Sequence, residues 1–261
     1  MPNLVYFNNK YILFKDAKIP IEDRGFQFSD SVYEVVKVIN KKILDFDFHM
    51  RRLKFSTTEL KFNFKVNSIL LKKIFENLII KNKLSNGIIY FQITRGVQSR
   101  EHAYRKNLKP NIIIYTAKKK FNLPNKNYKG FKAITYPDIR WGRPDIKTTS
   151  LLANIIAATE ASKKGAYETI LVKGKKITEA AHSNVWIVKG NKIITHPANK
   201  EILKGVTRTV LINIINSLGL KLTEKEFSLK ELYKSDEVFI TSSGSLVTPI
   251  TQIDNIKINN K

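Results

Sequence analysis

The sequence predicts an α/β (α+β) fold of two domains, a smaller one over residues 1–117 and a larger one over 130–261, joined by a linker at 118–129. Strand-like and helix-like stretches alternate along the chain. With 261 residues and 43% apolar content, it is long enough to bury a substantial core. Residues 118–129 are polar, start with Lys118-Lys119-Lys120 and contain Pro124, the composition of a linker. Taken in order, Val32 to Ile39 is β-branched and reads as a strand. Phe46 to Leu60 has helical spacing, as does Ile69 to Ile80, with apolar positions at Leu70, Ile74 and Leu78. Gly87 to Thr94 and Asn111 to Thr116 read as buried strands. Beyond the linker, Phe131 to Tyr136 is a strand and Leu151 to Ser162 a helix. Glu168 to Val172 and Val185 to Val188 are strands, Thr207 to Ser217 is a helix, and Val238 to Thr241 is a strand. No repeat and no low-complexity segment interrupts this pattern.

Composition excludes several classes of function. The chain has no cysteine. Disulfides, cysteine zinc sites and thiol nucleophiles are therefore excluded, and a reducing compartment is expected. The start, Met1-Pro2-Asn3-Leu4-Val5-Tyr6, lacks the charged and apolar blocks of a signal peptide. No apolar run is long enough to span a bilayer. A cytoplasmic protein without a membrane partner is the expectation. The net charge is +24, but lysine is spread throughout, and no nucleic-acid-binding motif accompanies it. A solvated basic surface accounts for the charge better than a specific nucleic-acid patch.

Chemistry concentrates around Lys147 and Glu179. Lys147 stands in Pro144-Asp145-Ile146-Lys147-Thr148-Thr149-Ser150, just ahead of an apolar helical stretch. Glu179 stands in Ile177-Thr178-Glu179-Ala180-Ala181-His182-Ser183-Asn184-Val185, between two strand-like runs. A lysine amine condenses with carbonyl groups. Pyridoxal phosphate needs such a lysine, and an acidic group to keep its pyridine nitrogen protonated. A phosphate needs a helix N-terminus, hydroxyls and a guanidinium. Lys204-Gly205-Val206-Thr207-Arg208 opens a helix, although by itself this is also an ordinary helix start. Thr241-Ser242-Ser243-Gly244-Ser245 offers hydroxyls, or a plain turn. Arg52 shares a helix face with His49, three residues earlier, while Arg51 points elsewhere. Arg100 and His102 would point to one side of an extended segment and make a two-pronged anion site; a basic loop is the alternative.

These residues resemble a known family in order and spacing. The chain is similar to fold-type IV enzymes dependent on pyridoxal phosphate, and within that group to bacterial D-amino acid aminotransferases. The likeness runs through Ile21 to Phe28, Asp30, Val32 to Val38, His49 to Leu53, Ile89 to Gly96 and Asp138 to Trp141. It continues in Asp145-Ile146-Lys147, Thr178-Glu179, Ser183-Asn184-Val185, Thr195 to Asn199 and Ile202 to Arg208. The resemblance implies a cofactor between two domains, the C-terminal one being the larger cofactor-binding part. It implies that Lys147 carries the cofactor and shuttles the substrate α-proton, and that Glu179 pairs with the pyridine nitrogen. Arg52, Val206, Thr207 and Ser243 would hold the phosphate, and Leu203 would pack on the ring. Tyr33, Arg100 and His102 would trap the substrate carboxylate, the last two reaching in from the neighbouring subunit of a homodimer. The implied reaction moves an amino group between D-amino acids and 2-oxo acids, from D-alanine and 2-oxoglutarate to pyruvate and D-glutamate.

The chain departs from the family pattern in three places. Ser29-Asp30-Ser31 stands where relatives flank the aspartate with glycines, Ala180-Ala181-His182 replaces a serine-rich stretch, and the terminal helix of most relatives is missing after Lys261. His182 is thus expected either near the cofactor or in an exposed loop. Two sister activities share the cofactor residues: branched-chain L-amino acid aminotransferase and aminodeoxychorismate lyase. The Arg100-x-His102 pair favours the D-amino acid enzyme. A basic scaffold binding nucleic acid or protein would be expected to have lost Lys147 or Glu179.

Overall fold

A computed structural model describes residues 4–121 and 130–258, so residues 122–129 of the expected linker lie outside the described residues. The chain divides into two compact units, Met1–Phe121 with Ile146–Ser150, and Asn122–Asp145 with Leu151–Lys261. Both mix helices and strands, as expected. Among the described residues no helix is long and apolar enough to cross a membrane.

The first unit contains β1 (Leu4–Phe7), β2 (Lys10–Leu13), α1 (Arg24–Phe28), β3 (Ser31–Ile39) and β4 (Lys42–Ile43). It continues with α2 (Phe46–Glu59), α3 (Ser68–Lys81), β5 (Gly87–Thr94) and β6 (Asn111–Lys118). The strands form one antiparallel sheet in the order β2-β1-β6-β5-β3-β4. Val32, Val36 and Val38 alternate on one face of β3 and pack with Leu53, Phe75, Leu78, Ile89 and Phe91. This is the period-two pattern of a half-covered sheet. It also corrects the reading of β5 and β6 as wholly buried, because alternate residues of both are only half-covered. In α3 the buried stripe is Leu71, Ile74, Phe75, Leu78 and Ile79. Leu70, expected on that stripe, is half exposed instead, because the true face begins one residue later.

Asp23 fixes the entry to β3. Its carboxylate caps α1 by accepting from the N–H groups of Gly25 and Phe26. It also accepts from Thr94 Oγ1 at 2.7 Å and Asn111 Nδ2 at 2.6 Å. Ser29 ends α1 in the left-handed region with φ 54°, the conformation that the glycines of the family pattern adopt most readily. The turn before Tyr33 therefore forms without them.

The second unit contains β7 (Phe131–Pro137), α4 (Leu152–Lys163), β8 (Glu168–Lys173), β9 (Lys176–Ala180), β10 (Asn184–Lys189) and β11 (Lys192–Thr195). After these come α5 (Val206–Ser217), β12 (Lys221–Glu224), α6 (Leu229–Tyr233), β13 (Glu237–Ser242), β14 (Leu246–Ile253) and β15 (Ile256–Lys257). Its sheet runs β12-β11-β10-β13-β14-β7-β8-β9, with β15 on β14. Strand β7 is parallel to both β8 and β14, and β11 is parallel to β12. Ile170, Ile177, Val185, Ile187, Val238, Ile240 and Ile250 are buried together in its core.

Residues Ile146–Ser150 group with the first unit, although a boundary at 130 assigned them to the second domain. Backbone pairing is the reason. The Tyr33 N–H donates to the Lys147 carbonyl at 3.1 Å, and the Thr149 N–H donates to the Ser31 carbonyl at 3.2 Å. The bridge Val32–Thr148 lies between them. The segment thus acts as a short additional strand beside β3.

Candidate active site

Within the first unit, the structure brings Lys147 to Tyr33. The Lys147 ammonium nitrogen sits 4.1 Å from the centre of the Tyr33 ring. Tyr33 stacks on Tyr90 at 5.7 Å, and Tyr90 on Tyr115 at 5.0 Å. The main chain of Lys147 is held by its carbonyl, which accepts from the Tyr33 N–H of β3, and by its N–H, which donates to Ser56 Oγ of α2 at 3.2 Å. Among the described residues no hydrogen bond or ion pair to its side-chain nitrogen is seen within this unit.

On the opposite face of β3, Glu34 is fully buried among valines. The helix face that places His49 and Arg52 together points both at it. Arg52 donates Nε to Oε1 at 2.8 Å and Nη2 to Oε2 at 2.6 Å, and His49 Nδ1 lies 2.7 Å from Oε2. Arg51 is exposed on the other side of α2. Burial opposes the Glu34 charge, but Arg52 and His49 outweigh it and hold the carboxyl at about 2. The pKa is depressed, so its stabilising effect is complete above the ordinary value of 4.5 and fades as pH falls toward about 2. Acid titration should show stability declining through that window. In Glu34→Gln that decline should flatten, and stability near neutral pH should fall by about 3 kcal/mol because Arg52 is left buried without its anion. Denaturant midpoints measured from pH 2 to 7 check both statements, and parallel curves for the two proteins would refute them.

In the second unit Glu179 lies on β9 and is buried. Oε1 accepts from Arg140 Nη1 and from the Leu203 N–H, the latter at 3.0 Å, and Oε2 accepts from Asn184 Nδ2 at 3.0 Å. Burial pushes its carboxyl up to about 7, against the opposing pull of Arg140 and of the Leu203 N–H. Arg140 is itself anchored by Asp138, with Nε at 2.9 Å from Oδ1 and Nη2 at 2.7 Å from Oδ2, and by the Glu201 carbonyl at 3.1 Å. Thr178 Oγ1 donates to Asp138 at 2.7 Å. Asp138, Arg140 and Asn184, which carry no assigned role in the sequence, form the hydrogen-bonded surroundings of Glu179. The aspartate-x-arginine spacing was the available signal.

Helix α5 opens at Val206, one residue before the expected Thr207, and has no side-chain cap. Its first N–H groups point outward without an internal partner. A Cβ on Gly205 would come within 2.1 Å of Asn184 Oδ1, so a larger residue would have to displace the side chain that bonds Glu179. Asn184 Nδ2 donates to the Leu203 carbonyl at 2.8 Å. Leu203 is therefore held by the same side chain that orients Glu179, and Val206 and Thr207 follow at the start of α5. Ser243 lies half-buried in the turn between β13 and β14. Arg208 is buried and donates to the His196 carbonyl at 2.8 Å, a structural use distinct from ligand contact.

Arg100 and His102 are exposed, but their loop is tied down. Arg24 donates Nη1 to the Glu101 carbonyl at 2.6 Å and Nη2 to the His102 carbonyl at 3.0 Å. Both side chains rest on Phe28, the Arg100 guanidinium 4.8 Å and the His102 ring 5.6 Å from the centre of the Phe28 ring. Among the described residues no hydrogen bond or ring contact joins either one to Tyr33. His182 is 62% exposed at its side chain, with Nδ1 3.3 Å from Glu168. Of the two placements expected for His182, this is the exposed loop.

Comparison with known proteins adds independent findings. Residues 31–253 match the model of the family described as amino-transferase class IV. The D-alanine aminotransferase of Listeria monocytogenes serotype 1/2a is 37% identical over 256 residues, covering 97% of this chain and 89% of that protein. The D-alanine aminotransferase of Bacillus licheniformis is 38% identical over 251 residues, covering 96% and 88%. Among solved structures, the branched-chain amino acid aminotransferase of Escherichia coli superposes with a TM-score of 0.91 at 23% identity, over 100% of this chain and 89% of that one. The 4-amino-4-deoxychorismate lyase of Pseudomonas aeruginosa superposes with a TM-score of 0.82 at 20% identity, over 97% and 93%. At such identities these two report on the fold alone.

Proposed function

Because the chain belongs to the class IV aminotransferases, which use pyridoxal phosphate, we propose that it moves an amino group from D-alanine to 2-oxoglutarate, giving pyruvate and D-glutamate. The observation behind the substrate is the near full-length similarity to D-alanine aminotransferases. The likenesses to branched-chain aminotransferase and to the lyase do not reach beyond the fold.

The residues present fit the cofactor. A buried carboxylate held by three donors, an uncapped helix start behind a closely packed glycine, and a lysine amine set over the Tyr33 ring are the kinds of group that it requires. When bound, the cofactor supplies an electron sink and a carbonyl for the amino group. Lys147 would hold it covalently and then move a proton to and from the substrate α-carbon. Glu179 would hold a proton at the pyridine nitrogen, a task suited to a carboxyl poised near neutrality. Arg52, Val206, Thr207 and Ser243 would bind the phosphate, and Leu203 would lie against the ring. Glu34 fixes the Arg52 guanidinium for this role.

Tyr33, Arg100 and His102 would orient the substrate by its carboxylate. The exposed, anchored Arg100 and His102 suit a loop that serves the neighbouring subunit of a homodimer. The proposed domains are residues 1–117 and 130–261, joined by the 118–129 linker, and the cytoplasm is the proposed location. A carboxylate gripped on one side presents only one enantiomer's α-hydrogen to a fixed lysine. The other enantiomer loses a charged hydrogen-bonded contact worth about 1.5–3 kcal/mol, or roughly ten- to a hundred-fold in rate. In an amino-donor panel covering both enantiomers, D-alanine should surpass L-alanine, L-leucine and L-valine by at least that factor. Arg100→Leu should weaken D-alanine use while cofactor binding is retained. A preference for L-leucine or L-valine would establish the branched-chain reading in its place.

A further inference from the structure

The loop from His196 to Gly205 presents the Leu203 N–H to Glu179 and the Glu201 carbonyl to Arg140. His196 stands at its start and is 1% exposed. Its Nδ1 lies 2.9 Å from the carbonyl oxygen of Pro197. A carbonyl oxygen only accepts, so Nδ1 carries the ring proton, and Nε2 keeps its lone pair. That Nε2 is buried and has no hydrogen-bond partner. Opposite it, at 3.6 Å, is Oε2 of Glu201. Glu226, just beyond β12, supplies a third ligand atom, and the three atoms lie within 4.8 Å of one another. A buried lone pair and two carboxylates converge here.

We propose that His196, Glu201 and Glu226 form a site for a divalent cation of the zinc type, with water completing a tetrahedral shell. One imidazole nitrogen and two carboxylate oxygens suit zinc better than magnesium, which prefers an all-oxygen octahedron. Bonds of about 2.0–2.2 Å require ligand atoms roughly 3.3 Å apart. The histidine and Glu201 are already close to this, and Glu226 reaches it by a side-chain adjustment. Both glutamates are partly exposed, at 34% and 36%, and have that freedom. The Nδ1–H to carbonyl bond is the outer-shell contact that orients metal-bound histidines. Lys173 binds the other oxygen of Glu201 at 2.8 Å, and Lys176 pairs with Glu226. Both lysines are more than half exposed, so a divalent ion can displace them. Occupancy would tie the 196–205 loop to the end of β12 and stiffen the segment that offers Leu203 and Gly205.

The test uses the holoenzyme after dialysis against a chelator. Zinc chloride is titrated by calorimetry, and cobalt chloride by visible absorbance, which reports the coordination geometry. Wild type should bind one equivalent, with a tetrahedral cobalt spectrum and a zinc-dependent rise in melting temperature. Glu201→Gln and Glu226→Gln should each weaken binding by about tenfold or more and lose the melting shift. Both replaced side chains are partly exposed, so the variants should fold, which circular dichroism verifies. A proton on Nε2 paired with Glu201 is the competing arrangement, and it predicts no binding at all. Absence of binding at millimolar zinc, or unchanged binding in both variants, overturns the site.

Discussion

Lys147→Ala is expected to show no measurable transamination of D-alanine, a loss of at least about a thousand-fold, because in the proposed reaction one amine both anchors the cofactor and carries the α-proton. The fold should survive. The contacts that seat this segment on β3 and α2 come from the main chain of residues 146–149 and from Ser56, and alanine keeps them. What is lost is the ammonium over the Tyr33 ring, a contact worth about 1 kcal/mol. A pyruvate-release assay beside a thermal melt separates the two effects. Activity within tenfold of wild type, without added amine, would remove Lys147 from the mechanism. The same variant probes the dimer. Mixed with the weakened Arg100→Leu protein under subunit exchange, it should raise activity above that of Arg100→Leu alone, since one hybrid pocket combines an intact lysine with an intact arginine. No recovery would confine Arg100 to its own subunit.

Glu179→Gln is expected to slow turnover by roughly ten- to a hundred-fold, while the cofactor still binds. Three donors converge on this carboxylate, from Arg140, Leu203 and Asn184. An amide oxygen can accept from two of them on the Oε1 side. Its NH2 group then faces the Asn184 NH2, donor against donor, at a cost of about 1–3 kcal/mol. The amide also removes the charge that would hold a proton on the pyridine nitrogen, so α-proton removal should become the slow step. Single-turnover rates with α-deuterated D-alanine measure this directly. An isotope effect and rate equal to wild type would take Glu179 out of the reaction.

Elements with a long, clear period were legible in the sequence, among them β3, α2, α3, β5 and α5. Short or compositionally ambiguous ones were not. Strands β1, β2, β4, β11, β12 and β15 have at most four residues each, too few to establish a period. Strand β14 contains Pro249, which argues against an interior strand, yet it pairs with both β13 and β7, with a register shift between Ile250 and Gln252. Strand β9 carries lysine, glutamate and alanine, so Glu179 read as lying between strands when it lies on one. In the site, Lys147 and Glu179 were legible from residue type and setting. The partners of Glu179 were not, because its bonds to Arg140 and Leu203 span 39 and 24 residues. Glu34 left a trace: it is the one charge in the series Val32, Glu34, Val36, Val38, where a buried partner had to exist.

The backbone pairing of residues 146–149 with β3 bears on the order in which the chain can fold. Strand β4 covers only Val38 and Ile39 on that side of β3. From Ser31 to Tyr33 the edge is covered by a segment more than a hundred residues downstream, the Ser31–Thr149 side-chain bond alone spanning 118. During synthesis, β1 to β6 emerge long before that segment does. Until it arrives, the first unit exposes an unpaired strand edge, a surface open to pairing with another chain. Lys147, the proposed anchor of the cofactor, therefore rides on the peptide that seals the sheet. A ribosome-bound or isolated fragment of residues 1–121 should be prone to self-association, and a peptide spanning 144–151 supplied in trans should suppress it. The proposed need for an amine and the need for a protected sheet edge converge on the same five residues.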